Sequence, residues 1–286
     1  MSEQTELCTI MEKHGSDKSI GNHNYTLLYS KLFSKIRDKC LRIFQLGLGT
    51  NNLDVQSNMG INEKPLASLF GWREYFYNSM IYGADIDQRI LKNLHKIKTF
   101  YCDQCDHESI KKMWSNKDLL DNFDIIIEYG LHTFDANICF FENSIHKLNK
   151  NGFYIIEDIQ YNDIPRFETK ILEYKNKYPN LVIELIELDH DRNNYNNYGG
   201  KYNNIVLVCR YKKLFISRNP YNMDDGFGAQ YQRIIGAYCI ARKYNLEYYH
   251  IPFSNVSYQG LLSLEKNHLD QEFIAECKEN QYCKSI

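Results

Sequence analysis

Between residues 41 and 178, short apolar runs alternate with longer segments whose apolar positions recur every three or four residues. The runs are Leu41–Leu46, Met80–Ala84, Ile97–Tyr101, Phe123–Ile127 and Gly152–Ile156. Their length and bounding turn residues predict buried strands. Leu66–Phe76, Ser109–Leu119, the stretch leading to Leu148, and Ile164–Tyr178 carry the helical period, whereas residues 51–64 are polar and loop-like. Strands alternating with helices predict a mainly parallel sheet covered on both faces. Each predicted strand ends in glycine or acid: Gly47-Leu48-Gly49, Asp85-Ile86-Asp87, Cys102-Asp103-Gln104, Glu128 to His132, and Glu157-Asp158. Ligands of such sheets bind outside the carboxyl ends of the strands. These polar ends therefore predict one site.

After residue 180 the rhythm changes. Leu181–Leu188 and Ile205–Tyr211 read as strands with no helix between them, so they pair antiparallel. The Asn-, Tyr- and Gly-rich connection between them reads as a loop. Five parallel strands closed by an antiparallel pair resemble the class I S-adenosylmethionine-dependent methyltransferase, a Rossmann-like α/β fold on a seven-stranded sheet. That domain is expected over residues 41–211. Upstream, Tyr25, Leu28, Leu32 and Ile36 share one helical face, within an N-terminal helical segment (1–40) expected to cover the site. Downstream, residues 212–286 read as a strand at Leu214–Ser217, a glycine loop at Asp224–Gln230, a helix at Tyr231–Tyr244 and a strand at Tyr248–Ile251. That unit cannot close a sheet by itself. A length of 286 residues, at roughly 150 per domain, agrees with a main domain and a smaller one.

Charge narrows the function classes. Lys plus Arg is 34 against 36 Asp plus Glu, a formal net charge of -2, which argues against a general nucleic-acid binder. No run of about 18 apolar residues predicts a membrane span. The first residues lack an apolar core behind a basic head, so no secretory leader is expected. Nine cysteines, an odd number, then read as reduced thiols, and a cytoplasmic location is expected.

The strand ends hold the candidate chemistry. Gly47 and Gly49 let the backbone approach a ligand closely, or simply make a tight turn. Asp85 suits both ribose hydroxyls of a nucleoside, and otherwise caps the following turn. Asp103 and Gln104 suit an adenine amino group, with capping again the plain alternative. Cys102 and Cys105 form a CxxC, but no second ligand pair follows, and zinc needs four ligands. His132 stands at the mouth of the expected site and can take a proton from a hydroxyl. Glu157 and Asp158 offer two hard oxygen ligands for Mg²⁺, or form a solvated acidic turn.

Several motifs in order resemble one family. Lys13 to Lys18, His23-Asn24-Tyr25 and Tyr29 resemble a GTDK…HxY…Y opening. Leu66 to Trp72, containing Ser68, resembles GxSLxxW. Tyr82 to Asp87 resembles YGxDxD, Asp103 to Asp106 resembles DQxD, and Tyr154 to Asp158 resembles YxxED. The set is similar to that of sugar O-methyltransferases of macrolide biosynthesis, of the macrocin and mycinamicin type, and of the cephalosporin hydroxylase-like proteins. It covers about residues 13–211. The resemblance implies transfer of a methyl group from S-adenosylmethionine to a sugar hydroxyl in glycan biosynthesis. It implies a cofactor site at Gly47, Gly49, Ser68, Asp85, Asp103 and Gln104. It also implies His132 as base with Asp158 in the catalytic set, Mg²⁺ on Glu157 and Asp158, and an oligomer.

Two departures stand out. The family pattern Asp-Asp-Gly-Ser-His is here Glu128-Tyr129-Gly130-Leu131-His132, so Tyr129 takes a metal-ligand position and Glu128 faces elsewhere. Gln45 replaces an acid before the first glycine. A site without tightly held metal, or a non-catalytic module that partners a glycosyltransferase, follows as the alternative. Asp225 to Gln232 resembles the GGxGNQxxQ loop of fucosyltransferase-like enzymes, which implies a partial glycosyltransferase-like segment.

Overall fold

Alternate residues of a strand face opposite sides of a sheet, and here both sides are apolar. Ile43, Ile81, Ile125 and Ile155 face one buried cluster, while Phe44, Tyr82, Ile126 and Tyr154 face the other. That two-sided burial explains why the runs read as continuous apolar segments. The computed structural model describes residues 4–20, 22–188, 204–212, 215–216, 226–244 and 247–248. The chain divides into two compact units, Met1–Tyr211 and Lys212–Ile286.

The first unit is built on strands β1 (Arg42–Leu46), β2 (Met80–Asp85), β3 (Ile97–Tyr101), β4 (Phe123–Glu128), β5 (Leu148–Ile159), β6 (Leu181–Glu187) and β7 (Ile205–Tyr211). They form one sheet in the order β3-β2-β1-β4-β5-β7-β6. The first five are parallel, and β7 runs antiparallel between β5 and β6. The strand order reverses beside β1, the position at which an open sheet offers a crevice.

Helices α1 (Glu6–His14), α2 (Tyr25–Phe33) and α3 (Ala67–Tyr75) cover one face; α4 (His107–Trp114), α5 (Phe134–Ser144) and α6 (Ile164–Lys177) cover the other. On α2 the deepest residues are Tyr25, Tyr29 and Phe33, spaced by four, while Leu28, Leu32 and, just past the helix, Ile36 are the partly buried shoulder of that face. The face read from sequence is thus rotated by about one position, because three aromatic rings fill the space against Trp72 and Phe153. Helix α1 begins where the Thr5 hydroxyl accepts a hydrogen bond from the Cys8 N–H, and ends at Gly15 in the left-handed region.

The fifth strand differs from expectation. It does not stop at Ile156 but continues to Ile159, with its register against β7 shifted between Ile156 and Ile159. Glu157 and Asp158 form this bulge, and Asp158 has φ +55°. Pairing with β7 holds the strand together past the acids. The connection between β6 and β7 lies outside the described residues.

In the second unit, β8 (Phe215–Ile216) pairs in parallel with β9 (Glu247–Tyr248), and α7 (Phe227–Tyr244) lies between them in sequence. The glycine loop expected at Asp224–Gln230 is helical from Phe227: the Gln230 N–H donates to the Gly226 carbonyl at 3.2 Å. Residues 221–225 and 249–251 lie outside the described residues. Among the described residues, no helix is long and apolar enough to cross a membrane.

Candidate functional site

The carboxyl ends of β1 to β4 and the segment joining α1 to α2 enclose a cavity of about 820 Å³. Of the residues expected to hold a cofactor, Gly47, Gly49, Asp85, Asp103 and Gln104 line it, as does His132. Ser68, Glu157 and Asp158 do not.

The glycine turn has a steric cause. Gly47 has φ +81°, and a Cβ there would lie 1.6 Å from the Tyr129 carbonyl oxygen. Only glycine lets the β1 turn approach the end of β4. Gln45, beneath the turn, donates to the Gly47 carbonyl at 2.7 Å and to Ser68 Oγ at 2.8 Å, and accepts from the Trp72 indole at 2.8 Å. Ser68, whose hydroxyl accepts from Gln45, belongs to the buried support of the turn.

Asp85 ties two strand ends together. Its carboxylate accepts from the Leu48 N–H at 2.7 Å and the Asp87 N–H at 2.8 Å, and burial raises its pKa above the usual carboxylate range. Neighbouring Asp87 is held well below that range, chiefly by Arg89, and accepts from Thr50 at 2.5 Å and Asn52 at 2.6 Å. This network fastens the loop after β1, whose residues from Val55 to Met59 form part of the cavity wall.

Asp103 accepts from the Cys105 N–H at 2.9 Å, a turn-capping contact, and still faces the cavity. The Gln104 amide is a brace. Its oxygen accepts from the Leu131 N–H at 2.8 Å and its nitrogen donates to the buried Glu128 carboxylate at 2.5 Å. Glu128, whose pKa burial raises, also accepts from the Tyr154 hydroxyl at 3.2 Å, so it points away from the bulge acids. Cys102 lines the cavity as a buried free thiol, with its pKa raised by burial, and Cys105 is likewise free.

The remaining residues gather beside His132. Its backbone is left-handed, φ +59°, and its imidazole pKa is pushed down to about 4 by burial first and by the charges of Lys18 and His23 next. The ring is therefore neutral at pH 7. Its Nδ1 lies 3.8 Å from the Asp158 carboxylate. Asp158 has its pKa raised to about 7 by burial and by the negative charges of Asp17 and Glu157. Tyr129 packs edge-on to His132 with centroids 4.7 Å apart, and its hydroxyl donates to Asp17 at 2.6 Å.

Glu157 is not available in the way the sequence suggested. One carboxylate oxygen accepts from the Lys18 ammonium and the other from the Tyr29 hydroxyl, and both Lys18 and Glu157 are fully buried. The ammonium lies 3.8 Å from the centroid of the Tyr129 ring. A divalent ion on Glu157 would stand beside this buried cation, and the third ligand position is a phenol. Among the described residues no three His, Cys, Asp or Glu side chains are arranged to hold an ion. The donor set does not fit Mg²⁺ on Glu157 and Asp158.

No protein-family model matches the chain. Its sequence is similar to 8-demethyl-8-alpha-L-rhamnosyl tetracenomycin-C 2'-O-methyltransferase of Streptomyces olivaceus, 30% identical over 162 residues, covering 57% of this chain and 40% of that one. It is also similar to L-olivosyl-oleandolide 3-O-methyltransferase of Streptomyces antibioticus, 27% identical over 157 residues, covering 55% and 38%. Among solved structures it resembles the MycE methyltransferase of the mycinamycin pathway in complex with Mg and SAH. That match has a TM-score of 0.54 and 22% identity, and covers 72% of this chain and 55% of that one. The fold is that of the class I S-adenosylmethionine-dependent methyltransferases. The chain spans about two fifths of the length of the curated relatives it matches.

Sequence reasoning singled out no role for Asp17, Lys18, Tyr29 or Glu128. Asp17, Lys18 and Tyr29 do sit in the motif-bearing opening segment. An invisible signal was the partner: Lys18 is joined to a carboxylate 139 positions away.

Proposed function

We propose that the 4–211 region is an S-adenosylmethionine-dependent methyltransferase acting on a hydroxyl, with a sugar as the acceptor. The observation that carries this reading is the 820 Å³ cavity at the strand ends, with the Gly47 turn at one part of its wall and the neutral His132 at another. Its volume lies within the range that holds a small ligand. The relatives' names, all O-methyltransferases acting on glycosylated or macrolide compounds, support the acceptor class.

The chain's residues divide the work. The Gly47–Gly49 turn brings backbone close to a nucleoside, and Asp85 and Asp103 offer carboxylate oxygens to its hydroxyl and amino groups. When bound, S-adenosylmethionine supplies an electrophilic methyl group. His132 is placed to accept the proton of the acceptor hydroxyl, whose oxygen would take that methyl group with S-adenosylhomocysteine as the leaving product. Asp158, 3.8 Å away and ionised above about pH 7, steadies the imidazolium that results. Holding oxygen and methyl in line within the walled cavity supplies the larger part of the acceleration. Methyl transfer from labelled S-adenosylmethionine to rhamnosyl and olivosyl glycosides tests the reading. Transfer that disappears in His132→Ala, with cofactor binding retained, supports it; undiminished transfer in that variant refutes the base assignment.

A second reading is a cofactor-binding module without turnover, partnering a glycosyltransferase. Tyr129 at a ligand position favours it. Cofactor binding without transfer to any glycoside distinguishes it. The assignments of residues 1–40 as a cover for the site and of 212–286 as a partial glycosyltransferase-like unit are part of the same proposal, as are a cytoplasmic location and a homo-oligomer.

A further inference from the structure

We infer that Lys18 is the resident cation of the carboxylate cluster beside His132, and that the Tyr129 phenol closes this cluster to a divalent metal ion. The first observation is charge. Asp17, Glu157 and Asp158 converge there, and the only cation held wholly within the cluster among the described residues is the Lys18 ammonium, with no solvent exposure. The second is occupancy of ligand positions. Both Glu157 oxygens are engaged, by Lys18 and by Tyr29. The third is the lid over the ammonium. The Tyr129 ring lies 3.8 Å from Nζ, and its hydroxyl is anchored on Asp17 at 2.6 Å, so the ring is held at both ends of its reach. A cation facing an aromatic ring is stabilised there, most when desolvated.

An Mg²⁺ or Mn²⁺ ion needs several oxygen ligands in near-octahedral order. Entering here, it would have to displace a buried ammonium from Glu157 and turn a neutral phenol away from Asp17. A phenol at its ordinary protonation is a poor ligand, and burial raises the Tyr129 pKa further. The consequence rests on the methyltransferase reading: the acceptor hydroxyl is activated by His132 and Asp158 without a Lewis acid. An acceptor then needs no second oxygen to chelate an ion, so isolated hydroxyls qualify as well as vicinal ones.

The test is a Mn²⁺ titration of the full chain followed by electron paramagnetic resonance, which reads free ion directly and does not depend on turnover. The wild-type chain should leave the free Mn²⁺ signal undiminished at millimolar ion, and Tyr129→Phe should behave the same way. Tyr129→Asp alone should still leave the signal undiminished, because Lys18 keeps its place on Glu157, whereas Lys18→Met with Tyr129→Asp, once its melting curve shows a folded protein, should deplete it. Depletion by the wild type that Glu157→Gln abolishes overturns the inference, and that arm decides even where the double variant does not fold. A folded double variant that binds no Mn²⁺ overturns the roles given to Lys18 and Tyr129. Calorimetric titration of the same samples with S-adenosylhomocysteine keeps the two readings apart. Failure to bind it sinks the methyltransferase proposal and leaves the Mn²⁺ result standing.

Discussion

Lys18 and Glu157, 139 positions apart in the chain, form an ion pair in which neither side chain has any solvent exposure. The pair pins the segment between α1 and α2 to the bulge of β5, and so sets one side of the cavity. Removing one partner strands a buried charge, which typically costs about 3–5 kcal/mol. Lys18→Met should lower the unfolding free energy by that amount, read from urea unfolding curves as a fall in midpoint multiplied by the m-value. Lys18→Met combined with Glu157→Leu should recover much of the loss, because an apolar pair carries no desolvation cost. A single variant as stable as the wild type would contradict the pairing.

Gly47→Ala should be severe. The added methyl would lie 1.6 Å from the Tyr129 carbonyl, in a backbone conformation that disfavours any side chain. A loss of about 3 kcal/mol or more is expected, together with loss of S-adenosylhomocysteine binding. Gly60→Ala is the control: its φ is also positive, but nothing lies within 4 Å of the added methyl, so binding should survive.

His132→Ala should lower kcat by roughly 10²–10⁴, the usual contribution of a positioned base, while leaving the affinity for S-adenosylhomocysteine within a few-fold. Steady-state kinetics beside a binding titration check both halves. Equal losses in binding and turnover would assign His132 to shaping the cavity instead.

Asp158 makes stability depend on pH in a stated direction. The folded chain keeps it protonated up to about 7, against the ordinary 3.8. Between those values the folded state holds more protons than the unfolded state, so the Asp158 contribution to stability falls as pH rises and is constant above 7. Asp158→Asn carries no such charge. The variant should therefore gain on the wild type from pH 4 to pH 7 and then keep a fixed lead, as read from guanidinium midpoints. A lead that shrinks across that window would contradict the burial of Asp158.

Much of the fold was legible because its signals are local. The runs that became β1 to β4 are bounded by turn residues and filled with apolar side chains, and the lack of a helical pattern in the sequence between β6 and β7 pointed to their antiparallel pairing. The polar strand ends did mark one cavity, with Gly47, Asp85, Asp103 and His132 on its wall. What stayed hidden depends on contacts between distant segments. Gln104 reads as a ligand for adenine; it lines the cavity, and its amide also braces Glu128 and the Leu131 N–H, which no local pattern signals. Ser68 reads as part of the cofactor site but supports Gln45 from below. Glu157 and Asp158 read as an equivalent pair after a strand. Together they form a bulge that turns them apart, leaving Glu157 buried with Lys18 and Asp158 beside His132. No local pattern distinguishes these outcomes, because each is decided by the residue met across the fold.

The central claim is that the cavity at the strand ends binds the methyl donor, and one titration addresses it directly. The full chain would be titrated calorimetrically with S-adenosylhomocysteine, with and without a chelator, beside Gly47→Ala. The account predicts micromolar binding by the wild type, the same affinity in chelator, and none by Gly47→Ala. Absence of binding by the folded wild-type chain would contradict it.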